Sequence, residues 1–251
     1  MTENRYTSRV NRDGIGILTL KNPPQNYLMK PEFISVATLK EWIEGDGLKG
    51  LIIAGAGRHF SGGAQLKDIF AMAEAEIPIE TEIEKGKQLL GYLRDLNIPV
   101  VAAISGICFG GGLEVALACH IRFCSENSLL AFPETNCGLM PGLGGTVKLG
   151  ERLPLPESLK IILGGDMINS QEALCLKIVD SIIKNDDPVE YALLFLKKIT
   201  EGRPLNIIHF VMQALKNARQ MPPEEALKEE TRMFSELARL EARKRSQKSD
   251  V

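Results

Sequence analysis

The chain contains short, strongly apolar runs in which hydrophobic residues follow one another too closely for an amphipathic helix. Residues 15–20 and 50–54 are built mainly from Ile and Leu, and residues 100–104 are apolar throughout. Runs of this length and composition predict β-strands. Because successive residues in them are apolar, we expect strands that are covered on both faces of a sheet.

Helical periodicity lies between these predicted strands. Apolar residues recur every three or four positions over residues 31–43, and two glycines follow the run before the next strand. The leucines of residues 89–96 share one face of a second predicted helix, which leads into the strand at residues 100–104. Strands that alternate with helices in this way predict an α/β fold.

Two regions depart from this alternation. Residues 71–84 are acidic and contain one proline, which favours a mobile loop or a weak helix over a site. From Pro204 onward the pattern is helical, with a highly charged helix over residues 224–245. We therefore expect an α/β core over residues 1–200 and a helical C-terminal region over residues 201–251.

Composition and charge narrow the classes of partner. The 251 residues are 44% hydrophobic and 25% charged, which is ordinary for a globular protein with a full core. The formal net charge of -2 gives no reason to expect nucleic acid or an anionic membrane, because both attract concentrated Lys and Arg. We expect neither as a partner.

The five cysteines are odd in number and show no C-x-x-C spacing. They therefore suggest neither a disulfide framework nor a zinc site, and we interpret them as reduced core residues and expect no metal. The first residues of the chain lack the apolar stretch of a secretory signal. On this basis we expect a cytoplasmic protein.

The most informative segment is a predicted strand end that runs through Gly110, Gly111 and Gly112 into a helix carrying Glu114. Glycines allow backbone N–H groups to approach a ligand, and the positive end of a helix favours negative charge there. The same glycines would also serve close packing of helix on sheet, with Glu114 stabilising the helix dipole. This segment alone leaves both interpretations open.

Two further segments have similar features. Gly62 lies in a second glycine-containing turn that follows a predicted strand and enters a helix, so two such turns could bracket one oxygen atom. Glu134 follows Pro133 at a strand-to-loop position, where carboxylates are either catalytic or merely solvated. The chain has no Walker-type phosphate loop and no G-x-S-x-G elbow.

Five motifs, in this order, resemble the enoyl-CoA hydratase/isomerase (crotonase) superfamily. They are NPPQNYL, HFSGGAQLKDI, ISGICFGGGLEVALAC, AFPETNCGLMPGLGGTVKL and LGGDMINSQEALCLKIVDSII. The resemblance covers roughly residues 10–235, and GGGLEVALAC is especially similar to the hydratase part of multifunctional fatty-acid oxidation enzymes. It implies the crotonase α/β spiral, with β-β-α units forming two sheets and a helical C-terminal region used in assembly.

The resemblance also implies roles for individual residues. Glu114 and Glu134 correspond to the paired acid/base glutamates of the hydratases, and Gly62 and Gly111 to the oxyanion-hole N–H donors. Contacts to the substrate or its coenzyme A part are implied for another group of residues. These are Ala64, Gln65, Leu66, Lys67 and Gly110.

Hydration of an α,β-unsaturated thioester explains this set of groups. Negative charge develops on the thioester oxygen, where preorganised N–H donors stabilise it, while one carboxylate activates water and another handles the Cα proton. The resemblance therefore implies an enoyl-CoA hydratase-like lyase. Another crotonase-type reaction, namely isomerisation, decarboxylation or hydrolysis, is the first alternative, and a non-catalytic assembly role is the second.

Departures from the family pattern concern the part of the site that would bind the coenzyme A portion of the substrate, here called the thioester handle. Gln65 replaces the usual Asp, Gly62 replaces Ala, and the C-terminal segment that helps to enclose the nucleotide is replaced by the basic run of residues 243–245. That run could contact phosphate or could be a solvated helix end. The absence of the family segment could instead indicate an acyl group carried by an acyl-carrier protein, for which the nucleotide pocket is not needed. No permanent cofactor is implied. We expect a coenzyme A thioester as substrate and a homotrimer or homohexamer.

Overall fold

The computed structural model describes the backbone of residues 6–249 and the side chains of residues 6–246. Residues 1–5 of the predicted core range 1–200 and residues 250–251 of the predicted C-terminal range 201–251 therefore lie outside the described residues. The strands are β1 (Thr7–Arg12), β2 (Ile15–Leu20), β3 (Gly50–Gly55), β4 (Val100–Ile104), β5 (Ile107–Phe109), β6 (Ile121–Ser125), β7 (Leu129–Ala131), β8 (Ile168–Asn169) and β9 (Ser181–Ile183).

Helices connect the strands and form the C-terminal region. They are α1 (Val36–Gly45), α2 (Leu66–Glu74), α3 (Ile79–Asp95), α4 (Gly111–Ala118), α5 (Gly145–Gly150), α6 (Leu155–Ile162), α7 (Ser170–Cys175), α8 (Pro188–Thr200), α9 (Leu205–Gln220) and α10 (Pro223–Ser249). A 3₁₀ helix spans Pro133–Cys137.

The strands form two sheets. The larger has the order β1-β2-β3-β4-β6-β9, in which only the pairing of β1 with β2 is antiparallel. The smaller has the order β5-β7-β8, with β5 and β7 parallel. β4 and β5 are separated by a short connection, so the chain passes from the large sheet directly into the small one. Helix α4, which carries Glu114, begins where β5 ends.

The large sheet is covered on both faces, as the continuous apolar runs predict. Alternate residues of β4 enter different clusters: Val100 and Ala102 lie in the main core, whereas Val101 and Ala103 lie in a second cluster. The second cluster is completed by buried residues of α8, including Leu193. The main core is completed by α1, α3 and α4. Both faces of β4 are therefore dry.

The structure corrects two features of the sequence-based prediction. Helix α1 begins at Val36, not at residue 31, because Ser35 caps it and accepts a hydrogen bond from Thr38 N–H at 3.1 Å. Residues 71–84 are mainly helical: α2 and α3 cover most of them, so the weak-helix alternative applies. No residue of α2 is buried, which agrees with a segment that contributes little to the core.

The helical C-terminal region is present, with α9 and α10 packed against each other. All five cysteines are free, but only Cys108, Cys119 and Cys124 are buried. The prediction that all are core residues was wrong for Cys137 and Cys175, which are exposed. Within residues 6–249, no helix has the length and apolar character needed to cross a bilayer.

Candidate active site

Glu114 is held in the first turn of α4 and is 1% exposed. Its Oε1 atom accepts two backbone hydrogen bonds, from Leu143 N–H and from Gly145 N–H, each at 2.7 Å. No hydrogen bond within the described part of the chain uses Oε2. Burial raises the pKa of Glu114, and the two N–H donors and the nearby Lys148 oppose that rise.

Glu134 lies in the 3₁₀ helix that follows β7, next to the fully buried Phe132. Its Oε2 atom is buried and has no hydrogen-bond partner among the described residues. Burial raises the pKa of Glu134 to about 7, and the charge of Glu114 contributes in the same direction. The mutual effect shows that the two carboxylates are electrostatically coupled.

Gly110 precedes the helix that carries Glu114 and lies beside the Glu134 carboxylate. Its φ of 49° and ψ of -124° lie in a region that favours glycine. A Cβ at this position would lie 2.5 Å from Glu134 Oε1, so the absence of a side chain creates the space for that carboxylate. Gly110 N–H donates to Ala131 O at 2.9 Å, which fixes the start of α4 beside the end of β7.

The fully buried Asn26 holds the turn over residues 61–64 in place by hydrogen bonds in the protein interior. Asn26 Nδ2 donates to Ala56 O at 2.8 Å and to His59 O at 2.6 Å, and Ser61 Oγ donates to Asn26 O at 2.8 Å. The side-chain amide of this buried residue is therefore paired with the backbone that leads into the turn, and its backbone carbonyl is paired with the Ser61 side chain in the turn. Leu28 N–H also donates to Gly63 O at 2.8 Å.

The hydrogen bonds show which N–H groups of the two turns remain free. Gly62 N–H donates to Gln25 O at 2.7 Å, and Gly63 N–H donates to Ser61 Oγ at 3.1 Å. Among the described residues, neither Ala64 N–H nor Gly111 N–H has an acceptor. This arrangement differs from the expectation that Gly62 N–H is available to a ligand, because Gln25 O already uses it.

The two free N–H groups lie on turns that are in contact. A Cβ on Gly63 would lie 2.7 Å from Phe109 O and 3.2 Å from Gly111 N, and one on Gly111 would lie 3.8 Å from Ala64 N. The glycines therefore let the two backbone segments approach closely. Two unpaired N–H donors beside a coupled pair of carboxylates can stabilise an oxyanion while protons are moved.

A cavity of about 460 Å³ adjoins these turns and is mainly apolar. Leu28, which lines it, has its Cδ1 atom 3.4 Å from the Cβ position of Gly111, and Tyr27 has its Cε1 atom 2.9 Å from the Cβ position of Gly62. Lys21 and Lys30 also line the cavity. Glu32 is a further lining residue, so the cavity combines apolar surface with two cationic groups and one anionic group.

The remaining predicted contact residues follow the first turn. Gln65 is extended and precedes α2, and Leu66 and Lys67 are the first residues of that helix. Ala64 and Lys67 are exposed, whereas Gln65 and Leu66 are partly buried. Among the described residues, no group of three or more His, Cys, Asp or Glu side chains could hold a metal ion.

Sequence reasoning did not identify the N–H donors to Glu114 or the lysine behind it. Leu143 and Gly145 act through their backbones, for which residue type is only a weak signal. The signal that was present is the series of glycines over residues 138–145, because glycine-rich segments often bring backbone groups to a site. Lys148 follows this segment, and nothing in the sequence marked it as partly buried.

The fold and the site together define an α/β protein with paired carboxylates for acid/base chemistry next to two free N–H donors. The profile of the family described as "Enoyl-CoA hydratase/isomerase" matches residues 11–249. The chain therefore belongs to the enoyl-CoA hydratase/isomerase family, within the crotonase superfamily.

Two relatives illustrate the similarity in sequence. A probable enoyl-CoA hydratase from Bacillus subtilis is 33% identical over 224 residues, which cover 88% of this chain and 86% of the relative. The fatty acid oxidation complex subunit alpha from Idiomarina loihiensis is 35% identical over 226 residues, or 86% of this chain. The match spans only 32% of that longer protein.

Solved structures confirm the expected crotonase α/β fold with its helical C-terminal region. An enoyl-CoA hydratase from Polaromonas sp. JS666 superposes with a TM-score of 0.83 at 23% identity, covering 92% of this chain and 90% of that one. DspI from Pseudomonas aeruginosa gives a TM-score of 0.79 at 26% identity, with 94% and 97% covered.

Proposed function

We propose that this protein is a hydratase that adds water to a 2-enoyl thioester. The observation that carries the proposal is the difference between the two carboxylates. Burial raises the pKa of both carboxyls, but at Glu114 two N–H hydrogen bonds oppose the rise, whereas Glu134 has a buried, unpaired oxygen and a pKa of about 7. One group is suited to accept a proton and the other to donate one.

The reaction follows from these two roles. The Glu114 carboxylate takes a proton from water as the water oxygen bonds to Cβ, and the electron pair of the Cα–Cβ double bond moves onto the thioester as an enolate. The enolate then collapses as Cα takes a proton from Glu134. Exchange with solvent returns Glu114 to its ionised form and Glu134 to its protonated form. No redox step or metal is needed for this balance.

The enolate oxygen is bound, in this proposal, by the N–H groups of Gly111 and Ala64. Gly111 was expected in this role from the sequence, and its N–H is free among the described residues. Ala64 takes the place of Gly62, because the Gly62 N–H is already paired with Gln25 O. Gly62 instead helps to hold the turn, and Gly110 leaves room for Glu134.

An acyl-CoA thioester is the proposed substrate. The cavity beside Tyr27 and Leu28 has apolar walls for a flexible chain and two lysines that could meet phosphate. Lys67 is exposed at the start of α2, where it could contact the same handle, with Gln65 and Leu66 flanking the turn. An acyl-carrier-protein thioester is the alternative handle, and competition by free coenzyme A against an enoyl-CoA substrate separates the two.

Incubation with crotonyl-CoA tests the reaction. Hydration predicts loss of the enoyl-thioester absorbance and a product heavier than the substrate by one water molecule. Glu114→Gln and Glu134→Gln should each lower kcat by roughly 10²–10⁴, the usual contribution of a positioned acid or base. Glu126→Gln is a matched control, because Glu126 is exposed and lies outside the site.

Other outcomes would refute the hydratase assignment. A product of unchanged mass would indicate isomerisation, and release of carbon dioxide from a malonyl thioester would indicate decarboxylation. Full activity in both Gln variants would place the chemistry elsewhere. Failure of every thioester to bind or react would favour the assembly role.

The proposed assembly is a homotrimer or homohexamer. Leu155 and Leu159 on α6 and Leu163 at its C-cap are spaced four residues apart and are 70%, 48% and 68% exposed. A second copy of the chain would remove this apolar stripe from water. Sedimentation of the purified protein tests the proposal, and a monomer at micromolar concentration would overturn it.

A further inference from the structure

The first turn of α5 contacts Glu114 at two separate points. Gly145 N–H donates to the carboxylate, as described above. Lys148, three residues further along the helix, directs its ammonium group to the backbone carbonyl of the same residue, with Nζ 3.4 Å from Glu114 O. Lys148 N–H donates to Gly144 O at 2.9 Å, which fixes the lysine relative to the turn.

Lys148 is partly buried and has no carboxylate within salt-bridge distance among the described residues. Four charged or titratable groups face it: Glu114 on α4, Cys119 at the end of α4, Arg152 beyond α5 and Arg94 on α3. Burial lowers the pKa of Lys148 to about 8, with Cys119 and Glu114 opposing the shift and Arg152 and Arg94 adding to it. The lysine is therefore still cationic below neutral pH, where an active-site carboxylate titrates.

An ammonium group placed there is unfavourable for the fold alone, because its burial is compensated by one carbonyl hydrogen bond instead of a carboxylate. Its positive charge does, however, act on Glu114: Lys148 lowers the pKa of that carboxyl, and Lys87 on α3 acts in the same direction to a smaller extent. The location thus suits a group that adjusts a neighbour better than one that stabilises packing.

We propose that Lys148 is a positioning residue for Glu114: it holds the backbone of the base and keeps its carboxylate ionised at lower pH. The inference rests on the proposed role of Glu114 as the base. Lys148 does not contact the substrate in this proposal, and its effect passes entirely through Glu114.

The test compares Lys148→Met, Lys148→Arg and the control Lys160→Met, which changes an exposed lysine on α6. Lys148→Met should move the acidic limb of the kcat/KM profile upward by roughly one pH unit, the usual effect of losing a nearby opposite charge. At pH values above the acidic limb, KM should change little. Lys148→Arg should restore the wild-type limb, since arginine keeps the charge.

A second measurement follows Glu114 without any reaction. Infrared titration of the Glu114 carboxylate, identified by its loss in Glu114→Gln and recorded in the Glu134→Gln background, should show the same upward shift in Lys148→Met. If the carboxylate shifts but the enzyme does not hydrate enoyl thioesters, the inference stands and the proposed function fails. If Lys148→Met leaves both the limb and the titration unchanged, the inference is wrong.

Discussion

Gly110 and Glu134 are complementary in shape: the position of a Cβ on Gly110 lies 2.5 Å from Glu134 Oε1. Gly110→Ala should therefore displace the carboxylate and strain a backbone with a φ of 49°. We expect kcat for hydration to fall by about 10²–10⁴, the range for a lost acid or base. The free energy of unfolding should also fall by about 1–3 kcal/mol.

The control for this variant is Gly111→Ala. The nearest heavy atom to a Cβ on Gly111 is Leu28 Cδ1 at 3.4 Å, an ordinary contact, and the residue begins a helix. It should fold and react nearly as the wild type does. Near-normal kcat in Gly110→Ala would show that Glu134 does not depend on this space.

Gly111→Pro removes one of the two free N–H groups without placing proline inside a helix. Proline is well tolerated at the first helical position, which Gly111 occupies in α4. We expect kcat to fall by about 10²–10³, as for loss of one oxyanion-hole donor. Gly111→Ala again serves as the comparison, because it keeps the N–H. Equal kcat in the two variants, both folded, would remove Gly111 from the oxyanion site.

Glu134 makes the stability of the protein depend on pH. Its pKa rises from 4.5 to about 7 on folding, so the native state binds the proton more tightly than the unfolded state does. The free energy of unfolding should therefore fall as the pH rises through this window and remain lower above it. Glu134→Gln should be more stable than wild type by about 1–2 kcal/mol at about pH 8, after allowance for partial exposure.

Urea unfolding at two pH values measures this effect. The advantage of Glu134→Gln should vanish at about pH 3.5, below both pKa values, where the wild-type carboxyl is largely protonated in both states. Glu126→Gln, which changes an exposed glutamate, is the matched control. An advantage of the same size at both pH values would mean that ionisation is not its source.

Asn26 anchors the turn that carries Ala64. Asn26→Ala leaves Ala56 O and His59 O without their side-chain donor in a buried setting, so we expect a loss of about 2–4 kcal/mol in unfolding free energy. Asn127→Ala changes an exposed asparagine and should stay within about 0.5 kcal/mol. A small loss in Asn26→Ala, measured by urea unfolding, would show that water or rearrangement replaces these bonds.

The sequence predicted elements best where packing determines the residue types. The strands at residues 15–20 and 100–104 were confirmed as β2 and β4, because their apolar residues face a dry core on both sides. Strand β1 was not predicted, since it lies at a sheet edge and all of its residues except Val10 are polar. Backbone pairing stabilises it, and such pairing leaves little trace in side-chain pattern.

The same reasoning applies to the site. The sequence pointed to Glu114 and Glu134 because carboxylates are visible by residue type. The family resemblance implied Gly62 and Gly111 as N–H donors, but the sequence does not show which N–H groups are free, because that depends on which of them already donate to a carbonyl. Gly62 and Ala64 are alike in sequence terms, and only the hydrogen bond from Gly62 N–H to Gln25 O distinguishes them.

Residues 133–145 carry Glu134 and also supply both N–H groups that hold Glu114. The proposed proton donor and the support of the proposed proton acceptor therefore belong to one continuous piece of backbone. Local unfolding of that segment would disable both proton transfers at once. A partly unfolded molecule would therefore have no catalytic activity, and not merely a reduced one. Proton donation and proton acceptance would therefore be lost together.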